Sequence, residues 1–248
     1  MSRSESKIEL IDKALSKNNA GSLQYILGKN DRAMQYYKES FYMYRRYFKG
    51  DHSDEALENH KKSLEQNRLK FKGDHSDTAF YLKRIGSVYK NLGKNKEALK
   101  YHNESLEMYR RLLKGGDHSD IASSLSRIGS VYKNLGKNDE ALKYHNESLE
   151  MYRRLFKGDH SDIASSLNNV GSVYKNLGKN KEAFKYFEES FDMNRRLFKG
   201  DHIDIASSYE RIGSVYENLD KINKAVEYHK ESSDMMDRIC KDLGLYKD

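Results

Sequence analysis

Residues 121–162 read IASSLSRIGSVYKNLGKNDEALKYHNESLEMYRRLFKGDHSD, and residues 163–204 repeat them almost letter for letter as IASSLNNVGSVYKNLGKNKEAFKYFEESFDMNRRLFKGDHID. The period is 42 residues, from Tyr132 to Tyr174 to Tyr216. From Tyr89 to Tyr132 it is one longer, because Gly115-Gly116 stands where the other copies carry one glycine. Self-similarity at this spacing specifies a stack of like units, each burying the sides that face its neighbours. Function in such a chain is a property of a surface.

Composition agrees with a stack. The 248 residues are 37% hydrophobic and 33% charged, polar for one large globule but ordinary for units that bury only two sides. No run of about 18 apolar residues occurs, so no membrane span is expected. The opening MSRSESKIELIDKALSK lacks an apolar stretch, so no secretory signal is expected. The single cysteine, Cys240, excludes an internal disulfide and fits a reducing, cytoplasmic setting. The Asn-Glu-Ser triplets at Asn103 and Asn146 match a glycosylation pattern but fall mid-helix, and we read them as chance. The net charge of +7 permits an acidic partner. Lysine and arginine alternate with acids instead of forming blocks, which argues against a nucleic-acid surface. Proline is absent, so Gly, Asp, Asn and Ser must make the turns.

Within one unit, Ala122, Leu125, Ile128, Gly129, Tyr132 and Leu135 recur at helical spacing and define the inner face of a first helix, A. Gly136 sits where that helix must stop and turn. Asn138 or Asp139 is placed to cap a second helix, B, whose stripe is Ala141, Tyr144, His145, Ser148, Leu149, Tyr152 and Leu155. Arg153 and Arg154 fall in its last turn, favourable for the helix dipole. Gly158 ends it, and Asp162 or Ser161 is expected to cap the next helix A. Small residues at Gly129 and Ala141 let the two helices approach closely.

Leu125, Gly129, Tyr132, Gly136-Lys137, Ala141 and Ser148 together resemble the tetratricopeptide repeat (TPR). The 42-residue period, Leu-Asn-Asn at Leu167–Asn169 and the Gly-Asp-His-Ser-Asp loop resemble the long form found in kinesin light chains. The loop departs from that form in carrying serine where proline is usual. The resemblance covers about residues 13–243 and implies an all-α fold: a right-handed α-solenoid of antiparallel helix-turn-helix units, about eleven helices in all. Residues 1–77 read as a degenerate N-terminal region. There Ala20–Ala33 aligns with Ile128–Ala141, but after Asp54 a helix A is missing, leaving an orphan B-type helix at about 55–71. That orphan should take a helix-A place or mark a weak joint. Residues 78–248 read as four regular units with a closing helix.

Asp-His-x-Asp recurs at Asp51, Asp74, Asp117, Asp159 and Asp201. These residue types bind metals, but neighbouring copies lie about 10 Å apart in a stack, too far to share an ion. We read them as capping loops and expect no metal and no cofactor. His102, His145 and His229 fall on the buried stripe of helix B as packing residues. No nucleophile, phosphate-loop or zinc-protease motif occurs, and no enzyme is expected.

The stripe of helix A opposite its core is more telling. In the repeat family it lines a concave groove for peptides. It holds Lys83, Arg84, Ser87, Lys90 and Asn91, then Ser126, Arg127, Ser130, Lys133 and Asn134. Asn168, Asn169, Ser172, Lys175 and Asn176 follow, and the last copy gives Glu210, Arg211, Ser214, Glu217 and Asn218. From these we take Arg84, Lys90, Asn91, Arg127, Lys133, Asn134, Asn169, Lys175, Asn176, Arg211 and Asn218 as candidate groove residues. Asparagine offers a donor and an acceptor to a peptide backbone, and arginine pairs with carboxylates. The expected partner is therefore a protein bound through an extended acidic segment, with no membrane involved. The solvated-face alternative stays open, since residues 85–95 and 128–138 are identical throughout and duplication alone explains a uniform surface. Two alternative functions are a basic helical nucleic-acid binder and a self-associating spacer. The latter would use the aromatic stretch Tyr36, Tyr37, Phe41, Tyr42, Tyr44, Tyr47 and Phe48. Residues 1–12 are too short for the coiled coil that precedes the repeats in kinesin light chains.

Overall fold

The computed structural model describes residues 7–49 and 53–245; the side chains of residues 7–12, 45–49 and 53–55 are left aside. Every regular element among the described residues is an α-helix, eleven in all. No helix there is long and apolar enough to cross a membrane. The helices fall into two compact units, residues 52–177 and residues 1–51 with 178–248. This division by contact is different in kind from the division by repeat regularity at residue 77.

The central unit holds α3 (Ser53–Lys70), α4 (Ser76–Asn91), α5 (Asn95–Leu112), α6 (Ser119–Asn134), α7 (Asn138–Leu155) and α8 (Ser161–Asn176). Helices α4–α5 and α6–α7 form tight pairs, and α5 and α7 each lie on the next A helix. The orphan α3 lies on α4 much as α5 lies on α6, so it takes a helix-B place rather than a helix-A place. Apolar burial at 3.6-residue spacing drives the pairing: Leu82 and Ile85 from α4, Leu125 and Ile128 from α6, and Leu149 from α7 are closed off from solvent. The outer end of each stripe is wetter than the sequence pattern implied, with Leu135 41% exposed.

Two contacts repeat in both of these pairs. A buried serine of helix B donates to an alanine carbonyl of helix A: Ser105 to Ala79 and Ser148 to Ala122, both at 2.7 Å. A helix-B histidine seats on a helix-A glycine; a Cβ on Gly129 would lie 3.0 Å from the His145 ring, and one on Gly86 2.6 Å from His102. Both imidazoles are fully buried, and burial, followed by nearby Lys and Arg side chains, pushes their pKa down to about 3.

The Asp-His loop works differently from the reading given above. The N-cap of α4, α6 and α8 is the histidine, not the following Ser or Asp: Nδ1 of His75, His118 and His160 accepts the backbone N–H two residues on, at 3.1–3.2 Å. The ring of His75 stacks on Phe71 and that of His160 on Phe156, centroids 3.6 Å apart. The aspartate before the histidine makes a two-pronged pair with the arginine at the end of its own helix B: Asp74 with Arg111, and Asp117 with Arg154, at 2.6–2.9 Å. No side chain caps α5 or α7, whose cap positions are Lys94 and Lys137. Gly136 turns the chain at φ +73°, as the pattern required.

The terminal unit holds α1 (Lys7–Ile26), α2 (Asn30–Lys49), α9 (Asn180–Leu197), α10 (Ile203–Asn218) and α11 (Ile222–Asp242). Helices α1–α2 and α10–α11 are tight pairs, α9 lies on α10, and α2 lies along α11. The N-terminal pair, though degenerate in sequence, keeps the fastenings of the others. Ser40 donates to the Ala14 carbonyl at 2.7 Å, and Tyr37 takes the histidine's seat over Gly21. Asp201 and Arg238 repeat the two-pronged pair, and His202 the cap. At the α10–α11 turn the glycine is replaced by Asp220, at φ +55°. Asp220→Gly should relieve the left-handed backbone and stabilise this unit by up to about 1 kcal/mol, readable as a rise in Tm.

Candidate functional site: the groove face of α4, α6 and α8

In the central unit the outer stripes of α4, α6 and α8 follow one another, and direct polar bonds join them. Lys83 Nζ on α4 meets Asp120 Oδ1 on α6 at 2.7 Å. Arg127 on α6 donates through Nη1 to Ser87 Oγ on α4 at 2.8 Å. Asn169 on α8 donates to Ser126 Oγ on α6 at 3.0 Å. Ser87 in turn donates back to the Lys83 carbonyl, four residues earlier in its helix, which turns its oxygen toward Arg127.

These bonds sort the stripe into floor and rim. Lys83 and Asn168, at the same position of their units, are buried at 7% and 9% exposure and form the floor. Lys90, Arg127, Lys133, Asn169 and Lys175 are half-buried; Arg84, Asn91, Asn134 and Asn176 are exposed. The stripe thus faces solvent along its rim, while part of it is spent on holding the A helices together. Of the remaining candidates, Arg211 and Asn218 belong to α10 in the terminal unit, half-buried and exposed respectively. Arg211 lies 5.9 Å over the Phe187 ring, and Asn218 donates to Asn180 at 3.4 Å.

Lys83 and the half-buried Lys90 and Arg127 beside it are all shifted by burial. Burial, and then the charge of Arg127, hold Lys90 below the usual lysine range. Arg127 itself is lowered by burial and by Arg84, and Lys83 by burial against the opposing pull of Asp120. Arg127 Nε and Asn168 Oδ1 are buried and have no partner within the fold. Arg127 and Asn168 thus leave one donor and one acceptor unmatched, the donor beside the like charges of Arg84 and Lys90.

Sequence reasoning missed Phe80. It stands on α4 four residues before Arg84, is 37% exposed, and carries the Arg84 guanidinium 5.0 Å from its ring centre. The signal was available: the equivalent residues Ser123, Ser165 and Ser207 are all serine. Also missed was the use made of the two acids on α10. Glu210 is buried, with Oε2 2.7 Å from His229 Nδ1, and Glu217 receives Lys38 Nζ at 3.0 Å and lies 3.6 Å from His229 Nε2. They close an internal ion cluster instead of presenting charge to a ligand. Among the described residues no group of three or more His, Cys, Asp or Glu side chains is placed to hold a metal ion.

Comparison with known proteins places the architecture. Models of the tetratricopeptide repeat match residues 53–111, 120–190 and 162–238, and a second model of the same repeat matches 14–54. No curated protein matches in sequence. Solved structures match in fold. BtubC (BKLC) from P. vanneervenii has a TM-score of 0.62 at 19% identity, over 96% of this chain and 94% of that one. A Podosopora anserina protein described as a kinesin light chain with nearly identical TPR-like repeats gives 0.57 at 12%, over 93% and 98%. A Rap protein complexed with competence and sporulation factor gives 0.60 at 18%, over 91% of this chain and 55% of that one. With repeat models covering most of its length and this helix-pair packing, the chain belongs to the tetratricopeptide repeat family.

Proposed function

We propose that the chain is a non-catalytic scaffold that binds an extended acidic segment of a protein partner on the α4–α6–α8 face. The observation that carries this reading is the setting of Arg127. Its Nε is buried without a partner, and Arg84 and Lys90 crowd it with like charge. A carboxylate there would satisfy the donor and offset the repulsion in one step. The exposed asparagines Asn91, Asn134 and Asn176 supply backbone recognition along the rim, and Phe80 beside Arg84 suits an aromatic next to the acids. The Rap protein, solved with competence and sporulation factor, lends the fold a precedent for holding a ligand. Lys175, on α8, belongs to the same candidate surface. A cargo-type module resembling those of kinesin light chains, working in a reducing cytoplasm, fits this reading. Burial of Cys240, its thiol pushed up to about 12, agrees with a cysteine that does no chemistry.

Nucleic-acid binding is less well supported. It needs aromatics free to stack on bases, whereas Tyr89 stacks on Tyr101 and Tyr132 on Tyr144 at 5.4 Å. The test is fluorescence anisotropy with a labelled Glu/Asp-rich peptide containing one aromatic, against the same peptide with lysine for each acid and against single-stranded RNA. The acidic peptide alone should bind, more weakly as salt rises. Arg84→Glu with Arg127→Glu should weaken it at least tenfold. Unchanged binding by that variant would remove the groove assignment.

A further inference from the structure

The terminal unit is built from the two ends of the chain. Helices α1–α2 reach it from residues 7–49, and α9–α11 from residues 180–242. Between them in sequence lies the whole central unit, residues 52–177. The joint is the contact of α2 with α11. Tyr37 and Ala33 pack on Val226, with Met34 and Ile222 beside them. Phe41 and Tyr44 enter a cluster with Met235, Met236 and Cys240. Polar bonds fix the register: Asn30 to Asn223 at 2.9 Å, Tyr44 Oη to Asp237 at 2.8 Å, Asn18 to Asp234 at 3.2 Å, and Lys38 to Glu217 at 3.0 Å.

We propose that this joint also forms between two copies of the chain, which exchange their α1–α2 pairs. Three observations carry the inference. First, α1–α2 is a finished module: the Ser40–Ala14 bond and the Tyr37–Gly21 seat lie within it, so it keeps its own inner contacts when it leaves one partner for another. Second, the joint is specific enough to select its occupant, because aromatic rings and four hydrogen-bonded pairs on α1, α2, α10 and α11 must match. A second copy carries every one of those groups. Third, the surfaces meeting at the joint differ, so the contact made between chains is head-to-tail, and two chains that reciprocate it close on themselves. Exchange preserves all of these contacts. What separates the two forms is the cost of closing one chain's own ends on each other, with residues 52–177 as the intervening segment, which an intermolecular joint avoids as concentration rises. This inference does not rest on the groove reading.

The test uses Asn30 and Asn223, whose side chains touch at the surface. Asn30→Cys and Asn223→Cys are made in separate, differently tagged full-length chains, mixed at high concentration and treated with a short bismaleimide. Exchange gives a covalent heterodimer at twice the 29.0 kDa chain mass on a denaturing gel, more abundant than in either variant alone. The double variant, treated at high dilution, reports whether the joint forms within one chain. Intrachain linkage in the double variant with no heterodimer in the mixture at any concentration would overturn the proposal. So would the absence of both products, since the joint itself would then not form. Light scattering of the unmodified chain should show a reversible rise from one chain mass toward two with concentration.

Discussion

Lowering the pH from 7 to 5 should destabilise the central unit by on the order of 4 kcal/mol, and two histidines should account for most of it. His102 and His145 are sealed under helix A with pKa values near 3, against an ordinary value near 6.5 in the unfolded chain. The unfolded state therefore takes up protons between those values while the folded state does not. Stability is fully present above about 6.5 and is lost as the pH falls toward 3. At pH 5 each group contributes about 2 kcal/mol of that loss. The terminal unit should not share that loss, because its buried histidine is shifted the other way. Burial works against the charged form of His229, but Glu210 and Glu217 outweigh it and hold its pKa above the ordinary value. Its contribution is present below about 6.5 and fades as the pH rises through that higher value. Glu217, held near 2 chiefly by His229, stays charged throughout. Amide hydrogen exchange at pH 7 and pH 5 resolves the two: protection should fall in α4–α7 and hold in α10–α11. His102→Phe with His145→Phe, copying Phe187 at the same position of its own unit, should flatten the response. A wild-type chain equally protected at both pH values would contradict the neutral buried imidazoles.

The second large effect concerns the seat beneath one of these rings. Gly86→Ala should cost about 1–3 kcal/mol, although alanine is the better helix former by about 1 kcal/mol. The new methyl would stand 2.6 Å from His102 Nδ1, nearer than van der Waals contact allows, and the fully buried ring has little room to yield. At Gly129 the corresponding distance is 3.0 Å, so Gly129→Ala should cost less. Chemical denaturation of both variants gives the order. His102→Ala should rescue Gly86→Ala in a double-mutant cycle, because the shortened side chain vacates the space. Equal losses at the two glycines, without coupling to His102, would show that the clash is absorbed elsewhere.

What could be read in advance was what depends on local spacing. Periodicity placed helices A and B, Gly136 in its left-handed turn and the histidines of helix B in the core, because each follows from neighbours three to seven residues apart. The loop was misread for a chemical reason. Asp and Ser are the habitual N-caps, yet an imidazole Nδ1 reaches the same N–H, and the Phe four residues before it holds the ring in place. The partner of Asp117 lies 37 residues away and becomes visible only once the helices close. That the outer stripe of helix A is polar could be read, but not which of its members would be buried, as Lys83 and Asn168 are. Least legible was the docking of α2 on α11, since a repeat pattern speaks only of adjacent copies. The one hint was that α2 is aromatic on more than one side.

The two-pronged Asp–Arg bond has a bearing on how such a chain changes over generations. Each one closes within a single repeat, from the loop that opens it to the helix that ends it, 37 residues apart in sequence. Misaligned recombination between near-identical copies would add or delete a cassette with its latch intact, so the gene can vary the reach of its product in whole steps without first having to invent a new fastening.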